Sequence, residues 1–239
     1  MDWIDLGSPK PRPSTIKYRP HTWPQELSVV PLQRPSTPSR RFADVIGSRR
    51  SCREFVPVRA QEMLSALAAL FWLACRTKME GDDSIGFPIS HRPSPSAGAI
   101  HPIHILANIP GLRTWHHLDA QRNELVELQH TSVCVEDVRA SVESVLPGTH
   151  ATLVLFIAEP GKTAAKYEHS ASLVWRDAGV LQGIISLAAE DVDLGCTMLG
   201  VTGDPWSSRL LERPGLHGVG AAYIGFPDLN RTSDAFGAR

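Results

Sequence analysis

An α+β sandwich, with helices flanking a central, mainly antiparallel sheet, is the fold this sequence predicts, and two patterns predict it. Short apolar segments rich in β-forming residues occur at 103–108, 114–118, 152–158 and 218–224, the second leading through a hairpin-like turn into Leu125-Val126-Glu127-Leu128. Longer proline-free segments at 61–77 and 164–192 repeat apolar residues at helical spacing. Antiparallel hairpins alternating with long helices favour this class over a doubly wound sheet. Gly200-Val201-Thr202-Gly203 matches neither the Rossmann nor the Walker pattern, so no separate dinucleotide domain or P-loop is expected. At 239 residues the chain is long enough for one sizeable core and short for two complete domains.

Residues 1–38 read as a proline-rich N-terminal arm and 39–239 as the folded domain. Pro9, Pro11, Pro13, Pro20, Pro24, Pro31, Pro35 and Pro38 remove amide donors and fix φ, so neither a helix nor a central strand persists there. Trp23, Leu27, Val29, Val30 and Leu32 let the arm lie on a surface, a partner subunit's among them; a disordered leader is the other reading. Phe42, Val45 and Ile46 then fall at helical spacing, with a stop near Gly47. The helix over 61–77 buries Met63, Leu64, Leu67, Leu70, Phe71 and Ala74 on one broad face. Residues 81–94, rich in glycine, proline and polar residues, form a loop over or beside a site. Leu173, Val174, Val180, Leu181, Ile184, Ile185 and Leu187 make 164–192 the clearest helix, ending at Leu194-Gly195.

The formal charge of -1 and a hydrophobic fraction of 42% give no global electrostatic argument for nucleic acid or a membrane surface. Charge is nonetheless uneven: between residues 7 and 53, Lys10, Arg12, Lys17, Arg19, Arg34, Arg40, Arg41, Arg49, Arg50 and Arg53 face only Glu26 and Asp44. Cys52, Cys75, Cys134 and Cys196 lack the paired spacing of zinc sites or redox dithiols and read as free thiols in a reducing cytoplasm. Met1-Asp2-Trp3-Ile4-Asp5 is no secretory signal, and the apolar stretch from Leu64 to Cys75 is too short to span a bilayer. His101 and His104 suggest a metal pair, but three apart on an extended chain they face opposite sides, and no metal is expected. The absence of a Gly-x-Ser-x-Gly elbow argues against a serine hydrolase.

The chemistry concentrates in Arg49-Arg50-Ser51-Cys52-Arg53 and in Pro95-Ser96-Ala97-Gly98-Ala99-Ile100-His101-Pro102. Guanidinium groups offer bidentate donors to phosphate, and a residue without Cβ lets main-chain amides approach a flat ring. Taken singly, the first segment is a basic surface turn, and the second is a tight loop in which Ser96 caps the next helix. Together, and in order with Arg176-Asp177-Ala178-Gly179-Val180-Leu181-Gln182, Leu199-Gly200 and Gly225-Phe226-Pro227, they resemble the FMN-dependent nitroreductase superfamily, most closely its SagB-type branch of azoline dehydrogenases. The likeness runs from residue 40 to the C-terminus.

That resemblance implies a nitroreductase-like, dimeric fold with two FMN sites at the subunit interface, residues 39–239 being the FMN-binding domain. It places Arg49, Ser51 and Arg53, with Arg50 beside them, on the phosphate and ribityl chain, joined by Arg239 or, alternatively, Arg231. It sets Pro95, Ser96, Ala97, Gly98, Leu199 and Gly200 around the flavin ring. Lys166 and Tyr167 correspond to a Lys-Tyr pair acting in proton removal, and a lysine amine or tyrosinate is a sensible base for a reaction that sends a carbon-bound hydride to flavin. The chain departs from other nitroreductases at Ala99, where an asparagine is common, and at Leu199, where many carry glutamate. The expected activity is hydride transfer between flavin N5 and a peptide azoline or related small molecule. An NAD(P)H-dependent nitro or quinone reductase and a flavin-free binding or scaffold subunit are the alternatives.

Overall fold

In the computed structural model, which describes residues 4–23, 26–36, 39–82, 84–129, 134–148, 150–210, 212 and 214–229, the proline-rich segment lies extended along its own chain. Lys10–Pro11 (β1) pairs with Glu168 and Tyr167. The amides of Ile16 and Tyr18 then donate to the carbonyls of Ala165 and Ile85 at 2.9 and 2.8 Å. The Tyr18 ring fits against Gly161, where a Cβ would come within 2.3 Å of it. Glu26–Pro31 (β2) forms an outer strand of the main sheet. An edge strand needs donors on one side only, so proline is tolerated where an interior strand would reject it. The described part of the arm thus lies ordered on its own core, with Leu27 and Val29 left exposed.

Phe42–Ser48 (α1) is a short helix that buries only Val45, while Phe42 and Ile46 stay 70% and 53% exposed. Ala60–Cys75 (α2) buries the predicted face, Met63, Leu64, Leu67, Leu70, Phe71 and Ala74. The loop predicted over 81–94 carries a stem, Met79–Glu80 (β3) paired with Ser90–His91 (β4). Ile103–Asn108 (β5), His116–Asp119 (β6) and Glu124–Leu128 (β7) follow as an antiparallel meander. Val135–Glu143 (α3) then leads to Thr152–Ala158 (β8).

The helix expected over 164–192 is divided. Pro160–Ala164 (α4) stops, Tyr167–Glu168 (β9) runs extended against β1, and Ala171–Asp191 (α5) starts only after His169, whose φ is 51°. The cause is tertiary: the Arg12 amide takes the Lys166 carbonyl at 2.9 Å, so the arm removes that backbone from any helix. After α5 come Gly195–Leu199 (β10), Trp206–Leu210 (α6) and His217–Gly225 (β11).

Seven strands form one sheet in the order β10-β11-β8-β5-β6-β7-β2, every neighbouring pair antiparallel. On β8, Val154, Phe156 and Ala158 join the core beneath α2 and α5, whereas Leu153, Leu155 and Ile157 join the opposite core with α3 and Leu210. A strand buried on both faces shows no polar alternation, which is why it reads as a continuous apolar run. Among the described residues no helix is long and apolar enough to cross a membrane.

Candidate functional site

The predicted residues fall into two groups. The first lies at the β10 edge. α1 closes with the Arg49 amide on the Val45 carbonyl at 3.0 Å, and the chain then runs beside β10, with Ser51 bridged to Cys196 and the Cys52 amide on the Cys196 carbonyl at 3.1 Å. Cys52 and Phe55 turn inward as anchors, leaving Arg49, Arg50, Ser51 and Arg53 exposed. Among the described residues none of these arginines is engaged in an ion pair or side-chain hydrogen bond. Burial pushes the neighbouring Cys196 thiol up to about 12, so it stays protonated. From Cys196, β10 runs about 10 Å at 3.3 Å per residue to Leu199. Leu199 is half-buried, and at the exposed Gly200 nothing lies within 4 Å of where a side chain would start.

The second group surrounds the 95–101 loop. Ser96 Oγ donates to Asp177 Oδ2 at 2.6 Å and accepts the His101 amide at 2.9 Å, and the Ala97 amide also donates to Asp177 at 3.1 Å. The serine hydroxyl therefore gives its hydrogen to Asp177 on α5. Burial raises the Asp177 carboxyl above its ordinary range, although the bonds from Ser96 and Ala97 oppose that. Gly98, at φ 64°, sits directly over the Lys-Tyr pair: a Cβ there would meet Tyr167 Oη at 2.9 Å and Lys166 Nζ at 3.1 Å. Ala99 and His101 also take positive φ, 57° and 50°, so this backbone is held in a region L residues rarely occupy.

α5 separates the groups. Asp177, near its start, holds Ser96. Near its end, Glu190 and Asp191 hold Arg40, whose Nη2 donates to Ser48 at 2.8 Å just before the arginine segment. From 177 to 190 a helix rises about 20 Å at 1.5 Å per residue. One chain therefore does not bring both groups into a single pocket. Arg231 and Arg239 lie outside the described residues.

Beneath the 95–98 loop and beside the arm is a cavity of about 190 Å³ that the sequence did not announce. His101 and His104 both line it, contrary to the expectation of opposite faces, because His101 precedes β5 in a left-handed turn. His117, Arg92 and Lys162 line it too. Burial holds the three imidazoles below their ordinary range, His101 at about 3, and keeps them neutral. His104 Nε2 therefore donates as an uncharged N–H to Glu159 at 2.8 Å. Burial would raise the Glu159 carboxyl, but hydrogen bonds from His104 and from the His21 amide at 2.6 Å hold it below its usual range. Burial, reinforced by Arg92, lowers Lys162 to about 8.

No family model and no curated protein matches this sequence. Solved structures match its fold. A Ralstonia eutropha JMP134 protein classed as a nitroreductase is 19% identical with a TM-score of 0.59, over 90% of this chain and 97% of its own. Another so classed, from Anabaena variabilis ATCC 29413, is 18% identical with a TM-score of 0.57, over 78% of this chain but 38% of its own. A chain of the E. coli microcin synthetase McbBCD complex with truncated pro-MccB17 bound is 14% identical with a TM-score of 0.56, over 80% of this chain and 76% of its own. The chain has the nitroreductase fold, as the resemblance implied.

Proposed function

We propose that this protein is an FMN-dependent oxidoreductase that works as a homodimer. The observation that carries this reading is the pair of half-sites at opposite ends of α5, a helix whose outer face is uncovered. Trp175 and Val180 are 48% and 41% exposed, and Gly179 and Gly183 have nothing within 4 Å of a would-be Cβ. Phe42 and Ile46 extend the apolar surface on α1, which packs against α5. A patch of that kind on a folded chain marks an interaction surface. If two copies pair their α5 helices antiparallel about a twofold axis, the arginine segment of one chain meets the Gly98 loop of the other.

The residues fit the cofactor. Three unpaired guanidiniums and a hydroxyl at the end of α1 form a donor set suited to a phosphate. Gly98 is a place where a side chain would fill the approach to a flat ring, and Gly200 leaves open space beside β10. Bound FMN would supply hydride and electron chemistry at its ring, and the protein would supply position and proton handling. Arg49, Ser51 and Arg53, assisted by Arg50, hold the phosphate end. Pro95, Ser96, Ala97 and Gly98, with Leu199 and Gly200, bound the ring. Lys166 Nζ or Tyr167 Oη takes the proton.

The finer reading is a SagB-type dehydrogenase acting on a peptide azoline or a related small molecule. It is supported by the Lys166-Tyr167 pair beside Gly98 and by the fold shared with a chain of the McbBCD complex. An NAD(P)H-dependent nitro or quinone reductase is its rival. A flavin-free binding subunit draws support from Ser96, whose hydrogen is given to Asp177, and from the apolar Leu199. The test is the visible absorption spectrum of the purified protein, with mass identification of any chromophore released on denaturation and the molar mass in solution. A dimer carrying FMN is expected, and anaerobic bleaching by NAD(P)H would move the assignment to the reductase. A colourless protein that also refuses added FMN would end the redox reading.

A further inference from the structure

We propose that the cavity between the N-terminal arm and the 95–98 loop is a binding site for a small monocarboxylate, held by Arg92 and Lys162. The inference does not depend on the flavin assignment. Arg92 Nε donates to Ser90 Oγ at 2.9 Å. Lys162, 9% exposed, donates through Nζ to the His101 carbonyl at 3.0 Å and lies 5.0 Å over the Phe87 ring. Among the described residues neither cation forms an ion pair. Lys162 is buried and Arg92 half-buried. The negative charges that act on them, Glu159 on Lys162 and Asp119 and Glu80 on Arg92, form no ion pair with either, so an anion in the cavity would offset a cost that these leave in part.

The carboxylates nearby are already committed. Asp119 accepts from Arg122 Nε at 2.9 Å, and Asp177 accepts from Ser96 and Ala97. Glu159 takes three donors, Tyr18 Oη at 3.0 Å, the His21 amide and His104 Nε2. The cavity therefore presents two cations to one open volume, with neutral imidazoles around them. The three donors to Glu159 are uncharged, so its carboxylate still offsets one of the two positive charges; the one that remains suits a monoanion, and the free Nη groups of Arg92 suit the two oxygens of a carboxylate. Ile103, Ile105, Leu118 and Leu181 give the rest of the ligand an apolar wall, and Trp23, stacked on His117 at 3.6 Å, closes one side. A dry protein cavity of about 150 Å³ accepts benzene. At about 190 Å³ this one takes a single ring or short branched chain bearing a carboxylate.

Benzoate is the probe, with benzamide as its uncharged counterpart, titrated calorimetrically into the full chain and into Arg92→Met and Lys162→Met. The expected result is one benzoate per chain, benzamide at least tenfold weaker, and at least a tenfold loss of benzoate affinity in either variant. Without ligand both variants should still unfold cooperatively, and the benzoate-induced rise in Tm should vanish. Absence of saturable benzoate binding by the wild-type chain, equal binding of benzamide, or undiminished affinity in both variants would overturn the proposal. Benzoate binding that shifts a flavin spectrum and survives both substitutions would place the ligand on the cofactor, and would overturn it as well.

Discussion

Gly98 shows how one absent methyl can set a site. Its φ of 64° costs an L residue about 1–2 kcal/mol, and its missing Cβ leaves space that Tyr167 Oη and Lys166 Nζ border. Gly98→Ala should fold with a slightly lower Tm but displace both side chains, cutting turnover at least tenfold. Lys166→Ala should keep its flavin and lose about 10²–10⁴ in rate, the usual contribution of a positioned acid or base. Arg49→Ala or Arg53→Ala should act on the cofactor, weakening FMN by about 1.5–3 kcal/mol, the span of a charge-assisted hydrogen bond. Fluorescence titration of FMN and steady-state rates separate these effects, and full occupancy with normal turnover in all of them would dismantle the site.

At the scale of elements, α5 makes the corresponding argument for assembly. Gly183→Arg would place a long charged side chain on its uncovered face without altering any residue proposed to hold FMN. The expected result is a monomer by light scattering that also loses FMN; a flavin-loaded monomer would refute an interface site. This helix also shows how far sequence reaches. Strands β5 and β8 were legible to the residue because they are apolar runs bounded by breakers. The stretch 164–170 read as helix because nothing local reveals that the arm will take the Lys166 carbonyl. β10 was missed: Gly195-Cys196-Thr197-Met198-Leu199 has one β-branched residue and is separated from the end of α5 by only three residues. Phe42 and Ile46 were legible as apolar but not as outward-facing, since helical spacing alone does not tell a face on the core from one on the surface. The arginine segment stands out in the sequence by its chemistry alone. The cavity does not, because Arg92, His101, His117 and Lys162 come from four separate segments and meet only after folding.

The whole molecule should be sensitive to acid. His101, His104 and His117 are held below the ordinary histidine value of 6.5, chiefly by burial, so below about that pH the unfolded chain binds protons that the folded chain refuses. Stability is therefore fully present above about pH 6.5 and falls as pH drops, for His101 down to about 3. Each such imidazole contributes at most about 1.4 kcal/mol per pH unit. Asp177, with its raised carboxyl, opposes this nearer pH 4. The urea midpoint should be clearly lower at pH 5 than at pH 7.5, and equal midpoints would contradict the burial of these rings. The arm that walls in these histidines has a second consequence, set by β2 lying against β7. Without residues 26–31, the amides and carbonyls along one side of β7 would stand bare as a template for strands of other molecules. β2 is a poorer template, with a register break between Glu26 and Val29 and a proline at its end. A chain trimmed of its arm would keep most of its core and still be prone to join its neighbours edge to edge, so this proline-rich segment also guards against aggregation.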